Sequence, residues 1–134
     1  MKIYADGSRT KVCYFIEDPQ VIAIVDLPAQ VTVNEGEYHA IICALEQALI
    51  LKARQVSIYS DSEVVVRQIN GQYQIHAPHL KLLHENVKRL VEQLDKFSCE
   101  WLPRLKNKAG LVLDKLPKKA NNNNNNKGEK DEET

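Results

Sequence analysis

Three acidic residues of the sequence stand where a folded chain could bring their carboxylates together. Asp6 ends a short apolar strand, Asp61 ends another within VSIYSDSEVVVRQIN, and Glu37 lies in the first turn of a long helix. If the two strands are parallel neighbours, both aspartates emerge at one sheet edge, where open α/β sheets place their chemistry. Clustered carboxylates repel each other, and a hard divalent cation with oxygen ligands compensates. Sites with two such ions about 4 Å apart cleave phosphodiesters. The alternative interpretation of Asp61, taken alone, is that it simply caps the helix that follows.

The elements that must position these carboxylates can be predicted from hydrophobic periodicity and turn residues. Apolar runs rich in β-branched residues predict strands, apolar stripes at helical spacing predict helices, and Gly and Pro mark their ends. The predicted order is β-β-β-α-β-α-α-β-α, with strands at 2–5, 12–16, 21–27, 56–60 and 97–102 and helices at 34–53, 62–70, 79–96 and 109–116. Ser62 is expected to cap the second helix. The order favours an α/β fold, with a mixed sheet and helices on its faces.

Composition and charge place these elements in one globular domain. The 134 residues are 43% hydrophobic and have a formal net charge of zero, which is enough for one core. Residues 1–117 are expected to form this domain, and the Asn-rich, acidic segment 118–134 a disordered tail or linker. Residues 1–78 carry 6 Lys and Arg against 9 Asp and Glu, whereas residues 79–120 carry 10 against 5. The basic second half indicates anion binding, although a solvated helix face would give the same pattern.

The cysteines, the apolar runs and the absence of other motifs limit the cellular compartments and the kinds of chemistry that we expect. Three cysteines without C-x-x-C spacing indicate buried thiols in a reducing compartment, the cytoplasm. No basic-then-apolar leader opens the chain and no apolar run approaches about 18 residues, so neither secretion nor a membrane span is expected. The sequence has no glycine-rich nucleotide motif, and its four histidines lack metal-ligand spacing. The carboxylates therefore remain the candidate chemistry.

Several segments resemble the ribonuclease H family in order, spacing and predicted secondary structure. They are YADGS, NEGEYHAIICAL and YSDSEVVVRQINGQY, and WLPRLKN is similar to the family's last strand and following loop. The resemblance covers about residues 2–116. It implies the ribonuclease H-like fold, a five-stranded mixed sheet with three antiparallel strands, then two parallel ones, and helices on both faces. The direct passage from Gly71 through Pro78 to the next helix implies a compact member without the basic handle helix that some members carry.

The same resemblance implies a function and assigns roles. It implies a monomeric, metal-dependent endoribonuclease that hydrolyses the RNA strand of RNA–DNA hybrids and leaves 5′-phosphate and 3′-hydroxyl ends. Asp6 would bridge two Mg²⁺ ions, for which Mn²⁺ can substitute, and Glu37 and Asp61 would complete the site. Four further residues match positions that touch the sugar-phosphate backbone or the 2′-hydroxyls of the RNA strand: Gly7, Ser8, Asn34 and Arg104.

The family's fourth carboxylate is missing from its usual place. After Asn107 the family pattern has Asp at the position where this chain has Gly110. Asp114 is the nearest acid, and positions 107, 110 and 114 share one helical face. Gly110 has no side chain and would leave that face open for a metal to reach Asp114. We therefore expect Asp114 to act as the fourth catalytic, metal-binding carboxylate; the alternative is a surface acid that is paired with Lys118 or solvated.

Other interpretations stay open for these residues and for the function. Ser8 and Asn34 could simply form a turn and a helix cap, and Arg104 could be a solvated loop charge. The loss of the carboxylate at position 110 also leaves a second function, an RNA–DNA hybrid or double-stranded-RNA binding module with lost or weakened catalysis. A third function is an interaction domain that uses the fold as a scaffold inside a larger replication or retroelement complex.

Overall fold

The computed structural model of the protein describes residues 1–117, and the predicted tail at 118–134 lies outside the described residues. Within residues 1–117, no helix is both long and apolar enough to cross a membrane. The described elements are β1 (Lys2–Gly7), β2 (Lys11–Ile16), β3 (Val21–Asp26), α1 (Val33–Ile50), β4 (Gln55–Ser60), α2 (Glu63–Ile69), α3 (Pro78–Val91), β5 (Lys96–Trp101), a short 3-10 turn (Arg104–Lys106) and α4 (Lys108–Asp114).

The five strands form one mixed sheet in the order β3-β2-β1-β4-β5. β1 and β2 are antiparallel, as are β2 and β3, because short turns connect them. β1 and β4 are parallel, as are β4 and β5, since helices carry the chain back across the sheet before each of these strands. The structure therefore confirms the predicted sheet of three antiparallel strands followed by two parallel ones.

Helices cover both faces of the sheet, because successive side chains of a strand point to opposite faces. On one face, α1 buries Ile41 and Leu45 completely against Ile3 of β1. On the other face, α4 places the buried Ala109 against Tyr4. Full burial of an Ile or Leu side chain contributes about 1.5–3 kcal/mol. This packing holds α1 and α4 on opposite sides of β1, the strand that carries Asp6.

The start of α1 differs from the prediction. The helix begins at Val33, and its N-cap is Thr32 rather than Asn34. The Thr32 hydroxyl accepts from the Glu35 amide at 3.1 Å, and the Glu35 carboxylate accepts from the Thr32 amide at 2.8 Å. This capping box satisfies two amides at the helix start that otherwise lack partners. The alternative interpretation of Asn34 as a helix cap is therefore wrong.

The end of α3 also differs, because the helix stops at Val91 rather than at residue 96. The amides of Asp95 and Lys96 donate to the carbonyl oxygen of Arg54 at 2.7 and 3.2 Å. The Arg54 guanidinium also pairs with the Asp95 carboxylate. These contacts end the helix and start β5 earlier than predicted. Leu94 nevertheless packs against the core, so the apolar pattern continues beyond the end of the helix.

Candidate metal centre

Parallel pairing of β1 with β4 brings Asp6 and Asp61 to the same edge of the sheet. Tyr4 lies opposite Tyr59 in this pairing, so the two aspartates, each two residues further along, leave their strands at the same level. The next residue, Ser62, caps α2 with its side chain, as predicted. The interpretation of Asp61 as the helix cap is therefore wrong, and its carboxylate is left for the site.

Glu37 reaches the two aspartates because α1 packs directly on the end of β1. A Cβ added to Gly7 would lie 1.9 Å from the carbonyl oxygen of Gly36, and one added to Gly36 would lie 1.9 Å from that of Ser8. Only glycine permits this approach of two backbones. At the same point the Gly7 amide donates to Glu37 Oε1 at 3.0 Å. The close contact therefore fixes the Glu37 carboxylate beside Asp6.

The three carboxylates form one compact, buried cluster. One oxygen each from Asp6, Glu37 and Asp61 lies within 4.8 Å of the other two, and the Asp6 side chain is 2% exposed. Burial disfavours a charged carboxylate and raises the pKa of Asp6 from its ordinary 3.8 to about 6, against the opposing effect of Arg104. Burial, with the charges of Asp6 and Asp61, also raises the pKa of Glu37 well above its ordinary value. The cluster therefore needs positive charge beside it.

Arg104 supplies that charge from the 3-10 turn after β5. Its Nη1 donates to Asp6 Oδ1 and, at 3.0 Å, to Asp61 Oδ2, while its Nη2 donates to Asp114 Oδ1 at 2.8 Å. Burial lowers the pKa of Arg104, but the hydrogen bond to Asp114 and the charge of Asp6 raise it overall. The interpretation of Arg104 as a solvated loop charge is therefore wrong. Its role in substrate binding stays a prediction.

Asp114 lies beside the cluster, and Arg104 connects the two. Asp114 is the last residue of α4, and its side chain is 53% exposed. Among residues 1–117, the group of carboxylates within 4.8 Å of one another does not include it. Gly110, one turn earlier, faces the same guanidinium, because an added Cβ would lie 2.8 Å from Arg104 Nη1. Residues 110 and 114 therefore share a face toward the site, and the role of Asp114 as a metal ligand stays a prediction.

The three other predicted substrate-binding residues border the cluster or organise its surroundings. Gly7 makes the close backbone contact with α1. The Ser8 hydroxyl donates to the Lys11 carbonyl at 3.1 Å and accepts from the Lys11 amide at 3.0 Å, so it shapes the turn between β1 and β2. Asn34 is partly exposed in the first turn of α1. Contacts of these residues with a substrate stay predictions.

Two residues hold the site together in roles that were not predicted from the sequence. Asn107 is fully buried; its Nδ2 donates to the carbonyl oxygen of Ala5 at 3.0 Å, and its Oδ1 accepts from the Ala109 and Gly110 amides. It thereby caps α4 and attaches that helix to β1 beside Asp6. The preference of Asn for N-caps was a usable signal. For Gly36, the signal was a glycine in the first turn of a helix, where it costs stability unless close packing requires it.

The donor set fits divalent metal ions. Carboxylate oxygens are the ligands that Mg²⁺ and Mn²⁺ prefer, and the guanidinium of Arg104 occupies the cluster as a stand-in cation. A mixed sheet in this order, with carboxylates from β1, α1 and β4 gathered at one edge, defines the ribonuclease H-like class of α/β proteins. The site is thus a candidate metal centre on that fold.

Comparison with known families agrees with this class. The family model described as reverse transcriptase-like matches residues 18–115. The chain therefore belongs to this family, which has the ribonuclease H fold, and the family predicted from the sequence motifs is confirmed.

Individual relatives give the same result. The chain is 33% identical over 76 residues, 57% of its length, to the bifunctional protein Rv2228c of Mycobacterium tuberculosis. It spans only 21% of that protein. The solved N-terminal RNase H domain of Rv2228c matches with a TM-score of 0.71 and 26% identity, over 84% of this chain and 95% of the domain.

Two further solved structures share the fold. RNase H1 from the archaeon Halobacterium salinarum matches with a TM-score of 0.76 and 22% identity, over 84% of this chain and 92% of that one. LC11-RNase H1 in complex with an RNA/DNA hybrid matches with a TM-score of 0.69 and 24% identity, over 80% and 88%.

Proposed function

We propose that this chain is a metal-dependent ribonuclease H that hydrolyses the RNA strand of RNA–DNA hybrids. One observation carries the proposal, namely the buried cluster of Asp6, Glu37 and Asp61 on the fold of this family. The related LC11-RNase H1 binds an RNA/DNA hybrid with the same fold, which supports the choice of substrate.

The three carboxylates would hold the metal, with Mg²⁺ as the proposed ion and Mn²⁺ as a substitute. Divalent ions at such a site supply Lewis-acid stabilisation of the attacking and leaving oxygens. Asp6 is proposed as a ligand common to the whole site, and the Gly7 amide fixes Glu37 by its hydrogen bond. Gly7, Ser8, Asn34 and Arg104 are proposed to contact the substrate backbone, since all four border the cluster or are close to it in sequence.

Asp114 is proposed as the fourth catalytic carboxylate, and a single substitution tests this assignment. Asp114→Asn should lower turnover about 100-fold or more while the apparent substrate affinity hardly changes, because the loss falls on the transition state. The measurement is steady-state cleavage of a labelled hybrid. Glu92→Gln, which removes an exposed acid after α3, is the control and should cleave as the wild type does. Normal turnover of Asp114→Asn would end this assignment.

A second function is favoured by one specific observation. Arg104 already forms ion pairs with Asp6 and Asp61, and the resemblance predicts an acid where the chain has Gly110. A protein with this site could bind an RNA–DNA hybrid or double-stranded RNA with little cleavage. We rank this binding module second, because the three remaining carboxylates keep the geometry of a metal site.

One experiment separates the two functions. A labelled RNA–DNA hybrid is incubated with the protein and Mg²⁺, with Mn²⁺, or with chelator, and duplex RNA and duplex DNA serve as control substrates. The nuclease should cut only the RNA strand of the hybrid and only with metal. Binding of the hybrid without metal-dependent cutting would contradict the nuclease function and favour the binding module.

Three further statements complete the proposal. Residues 1–117 form the catalytic domain, the domain acts as a monomer, and it works in the cytoplasm. The last point is supported by three free cysteines, of which Cys13 and Cys99 are buried. Buried free thiols are typical of reducing compartments.

A further inference from the structure

The guanidinium of Arg104 is held by ion pairs with several carboxylates of the site, whereas a solvent-facing arginine would have water as its main partner. One guanidinium joins three acids: Nη1 binds Asp6 and Asp61, and Nη2 binds Asp114. The same Nη2 lies 3.4 Å from the carbonyl oxygen of Gly110. Arginine presents its donors in a fixed planar fork, so several carboxylates can hold it in one orientation.

Gly110 provides the space for this arrangement. A Cβ at position 110 would lie 2.8 Å from Nη1, 2.9 Å from Cζ and 3.1 Å from Nε of Arg104. These distances are shorter than van der Waals contact, so any side chain at position 110 displaces the guanidinium. The absence of a side chain at position 110 therefore lets Arg104 enter the cluster.

We propose that Arg104 is an internal counter-cation that competes with divalent metal for Asp6 and Asp61, and that Gly110 makes this competition possible. The inference rests on the proposed function and adds a control on metal binding at the same site. Metal binding requires that Arg104 leave. Arg104 can leave without disturbing the core, because its side chain is 42% exposed and extends from a short turn.

Competition of this kind lowers the apparent metal affinity by the fraction of molecules in which the site is open. If Arg104 occupies the cluster in nine of ten molecules, its removal strengthens apparent metal binding about tenfold. Asp114 then acts in the metal-free protein as a positioning residue that holds the outer nitrogen of the guanidinium.

The test is titration of the full chain with MnCl₂ alone, with free Mn²⁺ counted by electron paramagnetic resonance. Gly110→Ala displaces the guanidinium while changing no charge, and Arg104→Gln removes the charge. Lys106→Gln is the matched control, because it removes one positive charge from the same turn, and no ion pair within residues 1–117 joins Lys106 to the cluster.

We expect Gly110→Ala and Arg104→Gln to lower the dissociation constant for Mn²⁺ about tenfold, and Lys106→Gln to change it less than twofold. Equal affinity of wild type and Gly110→Ala, or weaker binding by Arg104→Gln, would overturn the competition. If Arg104→Gln does not fold, Gly110→Ala decides alone, since alanine favours the helix. Absence of Mn²⁺ binding in every variant would instead refute the metal-dependent function on which the inference rests.

Discussion

Asp6 is the residue at which burial and charge conflict most directly. Its side chain is almost inaccessible, and the charges of the Asp61 and Asp114 carboxylates raise its pKa while the Arg104 guanidinium lowers it. Burial outweighs the guanidinium, so the pKa of Asp6 still lies near 6. A metal-free protein therefore holds this carboxyl partly protonated at neutral pH, and an added cation favours its charged form.

Asp6→Asn should abolish cleavage while the protein still folds and binds the hybrid. The asparagine keeps the shape and an oxygen acceptor but loses the negative charge that a shared metal ligand supplies. Loss of several kcal/mol of metal-dependent stabilisation corresponds to a decrease in turnover of about 100-fold to 10,000-fold. Single-turnover cleavage checks the loss of activity, and a hybrid-binding titration on the same preparation checks that binding is kept. Cleavage at the wild-type rate would show that the chemistry lies elsewhere.

The same substitution should change stability in a pH-dependent way. Because folding raises the pKa of Asp6 from 3.8 to about 6, its favourable contribution is present below about pH 4 and is lost as the pH rises through 6. Asp6→Asn should therefore stabilise the metal-free protein by roughly 1–3 kcal/mol at pH 8 and hardly at all at pH 4. Urea unfolding in chelator at both pH values measures this difference. A stabilisation that does not depend on pH would contradict the assigned cause.

At the scale of elements, the site depends on two attachments to β1. The Gly7–Gly36 contact brings the start of α1 against the end of the strand, and the Asn107 amide joins the start of α4 to the Ala5 carbonyl. Each attachment places a helix terminus beside Asp6. The geometry of the cluster therefore depends on these two attachments as well as on the acids themselves.

Gly36→Ala should destabilise the protein by roughly 2–4 kcal/mol and separate Glu37 from Asp6. The added Cβ meets the Ser8 carbonyl, a backbone atom that cannot turn aside, and overpacking at such a point costs stability. Thermal unfolding followed by circular dichroism measures the loss.

Gly110→Ala is the matched control for this change. It also adds one methyl group to a helical glycine, but the atoms that it meets belong to the flexible side chain of Arg104. Its stability should stay within about 1 kcal/mol of the wild type, because alanine regains helix propensity. Similar destabilisation by both substitutions would show that the backbone contact at Gly36 is not the cause.

Most helices and strands could be predicted from local sequence patterns. The features that could not be predicted depend on contacts between residues far apart in the sequence. The strands, the Ser62 cap and the convergence of Asp6, Glu37 and Asp61 follow from periodicity, turn residues and the parallel pairing of two strands. The position of Arg104 could not be predicted, because it depends on the loop after β5 lying across Gly110. The end of α3 was also missed, since bonds from Asp95 and Lys96 to the distant Arg54 set it.

At the scale of the whole molecule, the basic second half of the chain is only partly available to a nucleic acid. Lys108 pairs with Glu17 and Lys88 lies 3.9 Å from a Glu85 oxygen, so both positive charges already have acidic neighbours. Lys106 is exposed in the turn next to Arg104. The surface beside the carboxylate edge is therefore the best candidate for phosphate contacts.

Hybrid affinity should fall steeply as salt rises, and Lys106→Gln should reduce that dependence. Each phosphate contact that is lost lowers the slope of log affinity against log salt by about 0.9 for a duplex. Lys96→Gln removes a charge at the start of β5, beside the start of β4 and so at the end of these strands away from Asp61, and should leave the slope unchanged. Binding titrations at several salt concentrations compare the three proteins. An unchanged slope for Lys106→Gln would place the nucleic acid on another surface.

The hydrogen bond from the Gly7 amide to Glu37 gives the site a natural spectroscopic label. The chemical shift of an amide proton that donates to a carboxylate changes when the charge on that carboxylate changes. The amide resonance of Gly7, in the strand that carries Asp6 and in contact with Glu37 at 3.0 Å, thus reports on the occupation of the centre by protons or cations. Its single cross-peak in a nitrogen–proton spectrum can follow protonation, release of Arg104 and metal loading without any substrate.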